Sequence, residues 1–457
     1  MIFDFSPKAR ILIVIMKNLK TTPRQLTFQL DTKSNNGNTD PRISYNKIPV
    51  MKSTFKAGLD QPVHRWFRLT PSFGPDLVRE MLVSMNYKKG DTVLDPFAGA
   101  STTLIECALN GIDCFGFEIN PFLHFVGSTC LNWSVDPSQL ENLLCKVKNH
   151  FQTSLKFFSI TDLGSGKLPI PKIHNPFRWW RKDVLYELVV LRETIKSIDC
   201  DKDEKNLLLL GLAAALVPDL TNVTLGRLQL HFIDRDNDNI EVWPTFERQI
   251  KEIIEDITTI SHGPFGTASL YHTDATNPSI KVPNKANLVI TSPPYPNRYS
   301  YVWNTRPHLY FLEIFDTPKQ AGTLDMKTIG GTWGSATSSL AKGKVEADFP
   351  VIDKVVMPVA RKIREQENGN LMANYMTKYF NLIGHQITAM EPFVSNDVRI
   401  AYVVGCSRLK GVYVETDVML ANLIEGLGLG YKVSSIERIR KRNSGKNLYE
   451  TIVYASK

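Results

Sequence analysis

Hydrophobic positions along the chain follow two periods, one helical and one typical of buried strands. Apolar residues recur at helical spacing from Leu77 to Met85, and a second helix is predicted at 101–109. Each helix is followed by a short apolar run that ends in a carboxylate. This alternation is typical of a parallel sheet covered by helices. We therefore expect an α/β fold, a doubly wound and mostly parallel sheet of seven strands with an antiparallel end. The predicted strands are 92–94, 112–117, 268–272, 286–290, 398–404, 431–439 and 448–454.

Two long segments interrupt the sheet pattern, and a polar segment precedes it. Helical stripes of apolar residues dominate 135–263, whereas 317–370 is rich in Gly, Thr, Ser and Lys and predicts a looser insertion. Residues 17 to about 50 are polar, and we predict a disordered arm over residues 1–50. The predicted segments are the arm at 1–50, the core at 51–134, 264–316 and 380–457, the helical insertion at 135–263 and the second insertion at 317–379.

The composition of the chain excludes few classes of function. The chain has 457 residues, and its 54 Lys and Arg exceed its 46 Asp and Glu, for a formal charge of +8. That excess permits a polyanionic partner, but it is also typical of a surface that merely keeps a protein in solution. The six cysteines form no C-x-x-C pair, so we predict no metal site and a reducing, cytoplasmic location. The apolar runs are too short to cross a bilayer, so no membrane association is expected.

Candidate chemistry gathers at the ends of four predicted strands. Ligands bind doubly wound sheets at the carboxyl ends of their strands, and the residues found there are Asp95, Glu118, Asp274 and Ser292. Four such residues at four strand ends carry more weight than any one motif alone.

The first strand end leads into Asp95-Pro96-Phe97-Ala98-Gly99-Ala100-Ser101-Thr102-Thr103. Gly99 allows a tight turn and a close approach of the backbone to a ligand. The next helix directs its free N–H groups at the same place, where Ser101 and Thr102 can cap the helix or bind a ligand carboxylate. Any strand-to-helix turn also favours Gly and a capping residue, but the fixed Asp-Pro-Phe at the strand end favours a functional loop.

Two further carboxylates suit a nucleoside ligand. Glu118 lies about 20 residues beyond the Gly99 loop at the end of the next strand, a spacing at which a carboxylate binds ribose hydroxyls. Asn120 follows it closely. Asp274 has the chemistry to accept a hydrogen bond from an adenine amino group. The alternatives are a surface carboxylate for Glu118 and a helix cap for Asp274.

The fourth strand runs into Thr291-Ser292-Pro293-Pro294-Tyr295. Two prolines lock the backbone and fix the directions of the Ser292 side chain and the Pro293 carbonyl. Two such acceptors can hold the two hydrogens of an exocyclic NH2 group, and the Tyr295 ring offers a flat face for a base. A plain turn needs no such combination.

These motifs resemble those of the amino-methylating DNA methyltransferases, which act on N4 of cytosine or N6 of adenine. Asp95-Pro96-Phe97-x-Gly99 resembles their cofactor loop, and the Ser292 turn, preceded by Ile-Thr, is similar to the cytosine-N4 version of their catalytic motif. Adenine-N6 enzymes more often carry Asp or Asn where Ser292 stands. The segment His64–Phe67 loosely resembles a further cofactor-side motif. The resemblance covers roughly residues 60–130, 265–315 and 395–455. One departure is Ser101, which stands where the family commonly has a second Gly.

The resemblance implies a Rossmann-like methyltransferase fold, S-adenosylmethionine as cofactor and double-stranded DNA as substrate. It makes 51–134 the cofactor half of the core and 264–316 the catalytic half. The helical insertion and the segment 317–370 are both candidates for target recognition. The residues implied to bind the cofactor are Asp95, Pro96, Phe97, Gly99, Ser101, Thr102, Glu118, Asn120 and Asp274. The residues implied to be catalytic are Ser292, Pro293, Pro294 and Tyr295.

The same resemblance sets the expected reaction and its rivals. Methyl transfer to an amino nitrogen needs positioning rather than a covalent enzyme intermediate, and the chain has no Pro-Cys dipeptide of the kind expected for methylation at cytosine carbon 5. Arg298 and Arg306 follow the catalytic turn and are the candidate DNA contacts. A restriction-modification or defence setting, with a cognate subunit, is implied by family analogy. An adenine-N6 enzyme, a tRNA base-amine methyltransferase and a non-catalytic DNA-binding subunit are the competing hypotheses.

Overall fold

The computed structural model describes residues 40–226, 229–260, 263–331, 335–441 and 448–457. Its strands are β1 (Ile43–Tyr45), β2 (Val93–Asp95), β3 (Cys114–Glu118), β4 (Val223–Leu225), β5 (Leu230–Phe232), β6 (Ala268–His272), β7 (Ala286–Thr291), β8 (Val394–Gly405), β9 (Ser407–Leu409), β10 (Val412–Val414), β11 (Lys432–Lys441) and β12 (Tyr449–Ser456). All of these strands lie in one compact unit, Arg42–Lys457.

The α-helices separate the strands in two long runs and several single crossovers. They are α1 (Val50–Ser53), α2 (Pro75–Ser84), α3 (Thr102–Leu109), α4 (Pro121–Cys130), α5 (Pro137–Phe157), α6 (Pro176–Trp179), α7 (Lys182–Ser197), α8 (Lys202–Ala215), α9 (Val242–Ile260), α10 (Tyr301–Phe311), α11 (Pro318–Lys327), α12 (Ser335–Ala341), α13 (Pro350–Val355), α14 (Met357–Arg364), α15 (Asn370–Ala389) and α16 (Thr416–Gly426). Short 3₁₀ or π turns occupy Phe55–Gly58, Ile160–Asp162, Leu216–Leu220 and Glu391–Phe393.

The central sheet has eight strands in the order β1-β11-β12-β8-β7-β2-β3-β6. The five strands from β8 to β6 are parallel neighbours, and β12 runs antiparallel between β8 and β11. The doubly wound, mostly parallel fold with an antiparallel end is therefore confirmed. Seven of its strands are the predicted ones, and β1 is the additional strand.

The additional strand corrects part of the predicted disordered arm. Ile43–Tyr45 pairs in parallel with the outer strand β11. Next to it, the Arg42 guanidinium donates to Glu425 Oε2 at 2.9 Å and to Asn422 Oδ1 at 2.9 Å, both on α16. Only three residues form this strand, and two of them are exposed, so no hydrophobic period marks it in the sequence. The remainder of the predicted arm, up to residue 39, lies outside the described residues.

Alternating residues of each strand pack into two separate cores on the two faces of the sheet. On one face, Val93 and Leu288 pack with α2 and α3. On the other, Leu94 and Val289 pack with α14, α15 and α16. Because helices cover both faces of the sheet, the sequences of its inner strands are almost continuously apolar.

The sequence predicts the secondary structure of the first insertion better than that of the second. The predicted helical stripes of the first insertion, 140–151 and 246–257, lie on α5 and α9, and their residues contribute to a third core. The second insertion is less loose than predicted, because it forms α11 to α14. These four helices have six to ten residues each, and α11 and α13 begin at proline, so their apolar stripes are too short to stand out. The segment boundaries between core and insertions remain predictions.

A search of the described residues for a membrane-crossing helix finds none with the necessary length and apolar character.

Candidate active site

Four neighbouring parallel strands bring the predicted site residues to one edge of the sheet. Strands β7, β2, β3 and β6 lie side by side, with Leu94 paired to Val289 and Glu118 paired to His272. Their carboxyl ends open into a cleft of about 840 Å³. The predicted residues that line this cleft are Asp95, Pro96, Phe97, Gly99, Thr102, Glu118, Asn120, Asp274, Ser292 and Pro294. The two motifs on which the sequence argument depends therefore face the same space.

A direct hydrogen bond joins the two motifs at the floor of the cleft. The Thr291 hydroxyl donates to Asp95 Oδ1 at 2.6 Å, and the Phe97 N–H donates to the same oxygen at 3.0 Å. Asp95 is only 2% exposed, and this burial raises its pKa to about 6 although both hydrogen bonds oppose the rise. A buried carboxylate with two donors holds the Asp95 loop and the end of β7 in a fixed relation.

Glu118 holds the Gly99 loop from the neighbouring strand. Its Oε2 accepts a hydrogen bond from the Gly99 N–H at 2.8 Å, and its Oε1 accepts one from the Asn120 N–H at 2.7 Å. Burial is the main reason why the pKa of Glu118 rises to about 7. Gly99 has φ of +55°, a conformation that favours glycine. The carboxylate thus faces the cleft while its N–H donors fix its orientation.

Two other predicted residues combine a structural contact with a place in the cleft wall. The Asn120 side chain caps α4 by accepting from the Phe122 N–H at 3.0 Å, and its amide donates to Thr305 Oγ1 at 3.1 Å. Asp274 Oδ1 accepts from the N–H and the hydroxyl of Thr276 at 2.9 and 2.7 Å. The sequence left open a role for Asp274 as a helix cap. In the structure its side chain instead accepts hydrogen bonds within a local turn.

The double-proline turn places its four predicted residues differently. Ser292 and Pro294 line the cleft, while Pro293 and Tyr295 lie outside its lining. The half-buried Tyr295 extends its hydroxyl to Glu450 Oε1 at 2.8 Å. No hydrogen bond of the Ser292 hydroxyl is found within the described part of the chain, so this hydroxyl remains available to a ligand.

Comparison with known proteins gives the same family twice. The family model described as DNA methylase, for N6 and N4 amino-methyltransferases, matches residues 33–125. The type II methyltransferase M.BsoBI of Geobacillus stearothermophilus is 25% identical over 57% of this chain and 55% of its own length. M.AvaI of Nostoc sp. is 38% identical over 15% of this chain and 14% of its own, and M.MjaII of Methanocaldococcus jannaschii is 34% identical over 17% and 14%.

The chain therefore resembles the amino-methylating DNA methyltransferases both in its motifs and in these comparisons. It spans about half the length of M.BsoBI and a smaller part of the other two relatives. Methyltransferases of this family use S-adenosylmethionine.

Ser101 stands where the resemblance predicts a second Gly, and the structure shows how its side chain is accommodated. Ser101 has φ of +67°, in the left-handed region, and its side chain is fully buried outside the cleft lining. A Cβ atom added at Gly127 on α4 would lie 2.3 Å from Ser101 Oγ. The side chain at 101 therefore occupies space that glycine leaves open at 127.

The fit between Ser101 and Gly127 can be tested by substitution. G127A should lower the free energy of unfolding by about 1–3 kcal/mol, because the added methyl would lie 2.3 Å from Ser101 Oγ and 2.7 Å from Leu270 Cδ2 in a packed core. The double variant S101G/G127A should recover the part of that loss that is due to Ser101, while the contact with Leu270 remains. Urea denaturation measures both, and G166A is the control because a Cβ there meets nothing within 4 Å. Equal destabilisation of the single and double variants would refute the pairing.

The two arginines predicted to contact DNA occupy unlike environments. Arg298 is exposed in the loop after the catalytic turn, with φ of +64°, and its N–H donates to the Tyr375 hydroxyl at 3.1 Å. The Arg306 guanidinium lies over Trp303, 4.5 Å from the ring centroid, and burial lowers its pKa. Arg306 is therefore packed into an aromatic contact, and a DNA role for either arginine stays a prediction.

The cofactor-side motif suggested at His64–Phe67 lies beside the cleft rather than in it. The Arg65 guanidinium and the Trp66 indole N–H both donate to Asp256 on α9, so this segment is tied to the first insertion. Four residues that follow it contribute to the cleft lining instead: Leu69, Pro71, Ser72 and Phe73.

Sequence reasoning missed three parts of the site. Lys327, Thr328 and Ile329, in the second insertion, form one wall of the cleft. Tyr301 lines it at the start of α10, and Glu450 contacts Tyr295 from β12. Tyr301 stands near the catalytic turn in sequence, which was a usable signal. No local pattern marks Glu450 or the second insertion.

Proposed function

We propose that this protein transfers a methyl group from S-adenosylmethionine to an exocyclic amino group in double-stranded DNA, and that the target is N4 of cytosine. One observation carries the proposal: the Gly99 loop and the Ser292 turn border one cleft and are joined through the hydrogen bond between Thr291 and Asp95. The family-model match over residues 33–125 and the names of the type II relatives support the same reaction class.

The cleft suits S-adenosylmethionine in its chemistry. The lining of the cleft offers both polar acceptors and apolar walls, as a nucleoside ligand requires. The Glu118 carboxylate offers acceptors to ribose hydroxyls, Asp274 offers one to the adenine amino group, and Phe97 and Ile119 provide apolar walls. A Cβ at Gly99 would meet only Leu69 Cδ2, at 3.3 Å, so the backbone there is open to a ligand. When bound, the cofactor supplies an electrophilic methyl group.

The double-proline turn makes the amino nitrogen of the base more nucleophilic. The lone pair of an exocyclic amine is delocalised into the ring, so the nitrogen is a poor nucleophile. The Ser292 side chain and the Pro293 carbonyl accept its two hydrogens and favour a pyramidal nitrogen with a localised lone pair. The two prolines keep these acceptors in place, so that orientation accounts for most of the rate enhancement. No side chain of the turn forms a covalent bond to the base.

A base inside a duplex does not reach such a cleft, so the target base leaves the helix, at a free energy of a few kcal/mol. Stacking on the Tyr295 ring offsets about 1–3 kcal/mol of that by analogy with single-strand binders. The exposed Arg298, next to the turn, is our candidate for contacting a phosphate of the extruded nucleotide. The first insertion is our candidate for reading the target sequence, and a cognate restriction or defence subunit is the proposed partner.

The choice of cytosine rests on Ser292. Adenine-N6 enzymes more often carry Asp or Asn at this place, and a tRNA base-amine enzyme is expected to carry Asn or Asp before its Pro-Pro-Tyr. Methylation-sensitive long-read sequencing of DNA from cells that express the protein should reveal N4-methylcytosine at one recurring site. N6-methyladenine at that site would correct the base and leave the reaction class intact.

A transfer assay separates the remaining alternatives. Tritium from labelled S-adenosylmethionine should appear on duplex DNA and not on tRNA. Incorporation into tRNA alone would refute the DNA substrate. Calorimetry that detects no binding of S-adenosylmethionine would instead favour a non-catalytic subunit.

The raised pKa of Glu118 predicts that cofactor affinity depends on pH. Ribose hydroxyls donate to the ionised carboxylate, so binding favours loss of the Glu118 proton. With a pKa of about 7 in the free protein, this carboxylate is mostly ionised at pH 8 and mostly protonated at pH 6. The dissociation constant of S-adenosylmethionine should therefore increase about tenfold from pH 8 to pH 6.

Isothermal titration calorimetry at the two pH values, in buffers of different ionisation enthalpy, also measures the proton released. E118Q is the matched variant, because it keeps the shape of the side chain and removes the titration. Its affinity should be lower at pH 8 and nearly independent of pH. An unchanged pH dependence in E118Q would assign the proton to another group, such as Asp95.

A further inference from the structure

We propose that Glu450 is a positioning residue for the reaction, because it holds the Tyr295 ring in place through the tyrosine hydroxyl. Glu450 Oε1 accepts the Tyr295 O–H at 2.8 Å, and Glu450 Oε2 is ion-paired with Arg440 Nε. The three side chains form a chain from the double-proline turn across β12 to β11. The proposal rests on the function proposed above, since the base that Tyr295 meets is the substrate of that reaction.

The direction of β12 explains why a residue so distant in sequence reaches the catalytic turn. Strand β12 runs antiparallel to β8, so its first residues lie at the edge where the parallel strands end. Glu450 is the second residue of β12 and pairs with Gly405, the last residue of β8. Strand β8 in turn lies beside β7, which leads into Ser292 and Tyr295.

The charge of the buried Glu450 side chain has to be compensated by neighbouring groups. The residue is 5% exposed, and burying an ionised carboxylate is unfavourable unless a cation and hydrogen-bond donors compensate for the lost water. Arg440 supplies the cation and Tyr295 the neutral donor. A hydrogen bond at the hydroxyl fixes the far end of the tyrosine ring and so restrains the direction of the side chain. Phenylalanine at 295 would stack without that restraint.

The same chemical arrangement occurs at the opposite edge of the sheet and provides a matched control. The Tyr431 hydroxyl donates to Glu391 Oε1 at 2.5 Å, and Lys457 Nζ lies 2.5 Å from Glu391 Oε2. Glu391 precedes β8 and Tyr431 precedes β11, so this trio lies at the amino ends of the parallel strands, away from the cleft. Any effect common to both trios reflects stability alone.

The test is a double-mutant cycle in the tritium-transfer assay with Y295F, E450A and Y295F/E450A. Each single variant should lower kcat about tenfold or more, as expected when a positioning contact is lost, and the double variant should be no slower than the slower single one. The dissociation constant of S-adenosylmethionine should stay within about twofold of the wild-type value in all three. E450Q keeps an acceptor for the tyrosine and should restore most of kcat. Y431F and E391A should keep the wild-type kcat.

Two kinetic results would overturn the inference and leave the proposed function standing. One is a wild-type kcat in Y295F. The other is independent, multiplicative losses in the double variant, because residues acting through one contact are not additive.

A measurement without turnover separates the contact from the reaction. In protein labelled at tyrosine 13Cζ, the Tyr295 signal is assigned by its absence from Y295F. It should shift in E450A and not in E391A. A shift without any methyl transfer by the wild-type protein would refute the proposed function, and with it the catalytic role of the contact. An unshifted signal would refute the contact itself, whatever the activity.

Discussion

S292A is expected to lower kcat by about 100-fold to 1,000-fold, the loss typical of removing one pre-positioned hydrogen-bonding group from a transition state. The alanine keeps the backbone turn and removes the oxygen that accepts an amino hydrogen. The Ser292 hydroxyl lines the cleft next to the end of β7, where the hydrogen bond from Thr291 to Asp95 fixes the strand. Affinity for S-adenosylmethionine should change by no more than about twofold, because the contact that we propose for this serine is with the base.

Ser395 is the matched control for this variant. It is half-buried like Ser292 and lies on the neighbouring strand β8, but near the amino end, where its hydroxyl donates to Asp397 Oδ1 at 2.7 Å. S395A should therefore transfer methyl groups at the wild-type rate. Single-turnover tritium transfer at saturating cofactor and DNA measures both variants. A kcat of S292A within a few-fold of wild type would remove Ser292 from the chemistry and favour the Pro293 carbonyl as the sole acceptor.

The strand ends were predictable because each depends on residues close together in the chain. An apolar run followed by Asp95 or Glu118 needs only local information, and the parallel order then brings the ends to one edge. Glu450 was not predictable, because its partner Tyr295 lies 155 residues away. The relation between Ser101 and Gly127 was also hidden, since it depends on how α4 packs against the loop.

The other elements that the sequence did not predict share one feature, which is that they lack a hydrophobic period. Strand β1 has three residues and is held by edge pairing and by Arg42. Helices α11 to α14 are too short for an apolar stripe, yet the end of α11 supplies Lys327 to the cleft wall. Segments that are stabilised by tertiary contacts rather than by their own pattern escape a local analysis.

Burial at the cleft floor has a consequence for the free protein. Both Asp95 and Glu118 have raised pKa values, about 6 and about 7, mainly because they are removed from water. The folded state therefore binds these protons more tightly than the unfolded state, and both groups make folding less favourable as the pH rises through those values. A ligand that donates hydrogen bonds to Glu118 offsets that loss, so the cofactor should stabilise the protein more at pH 8 than at pH 6.

D95A is expected to have the largest effect on stability and to abolish cofactor binding and methyl transfer together. It leaves the Thr291 hydroxyl and the Phe97 N–H buried without their acceptor, and each such group costs about 1–3 kcal/mol. The free energy of unfolding should therefore decrease by roughly 2–6 kcal/mol. T291V keeps the shape of the threonine and removes only the bond to Asp95. Urea denaturation of D95A, T291V and the double variant should give a coupling energy of about 0.5–3 kcal/mol.

The control for T291V is T451V. The Thr451 hydroxyl is also fully buried and donates to a buried carboxylate, Asp417 Oδ2, at 3.1 Å. Because side chains alternate along a strand, Thr451 faces away from the side of β12 that carries Glu450. Both valine variants should lose stability, but only T291V should weaken S-adenosylmethionine binding and slow methyl transfer, since only its bond joins the cofactor loop to the catalytic turn. Equal losses of affinity in the two variants would mean that the bond between Thr291 and Asp95 stabilises the sheet without coupling the two halves of the site.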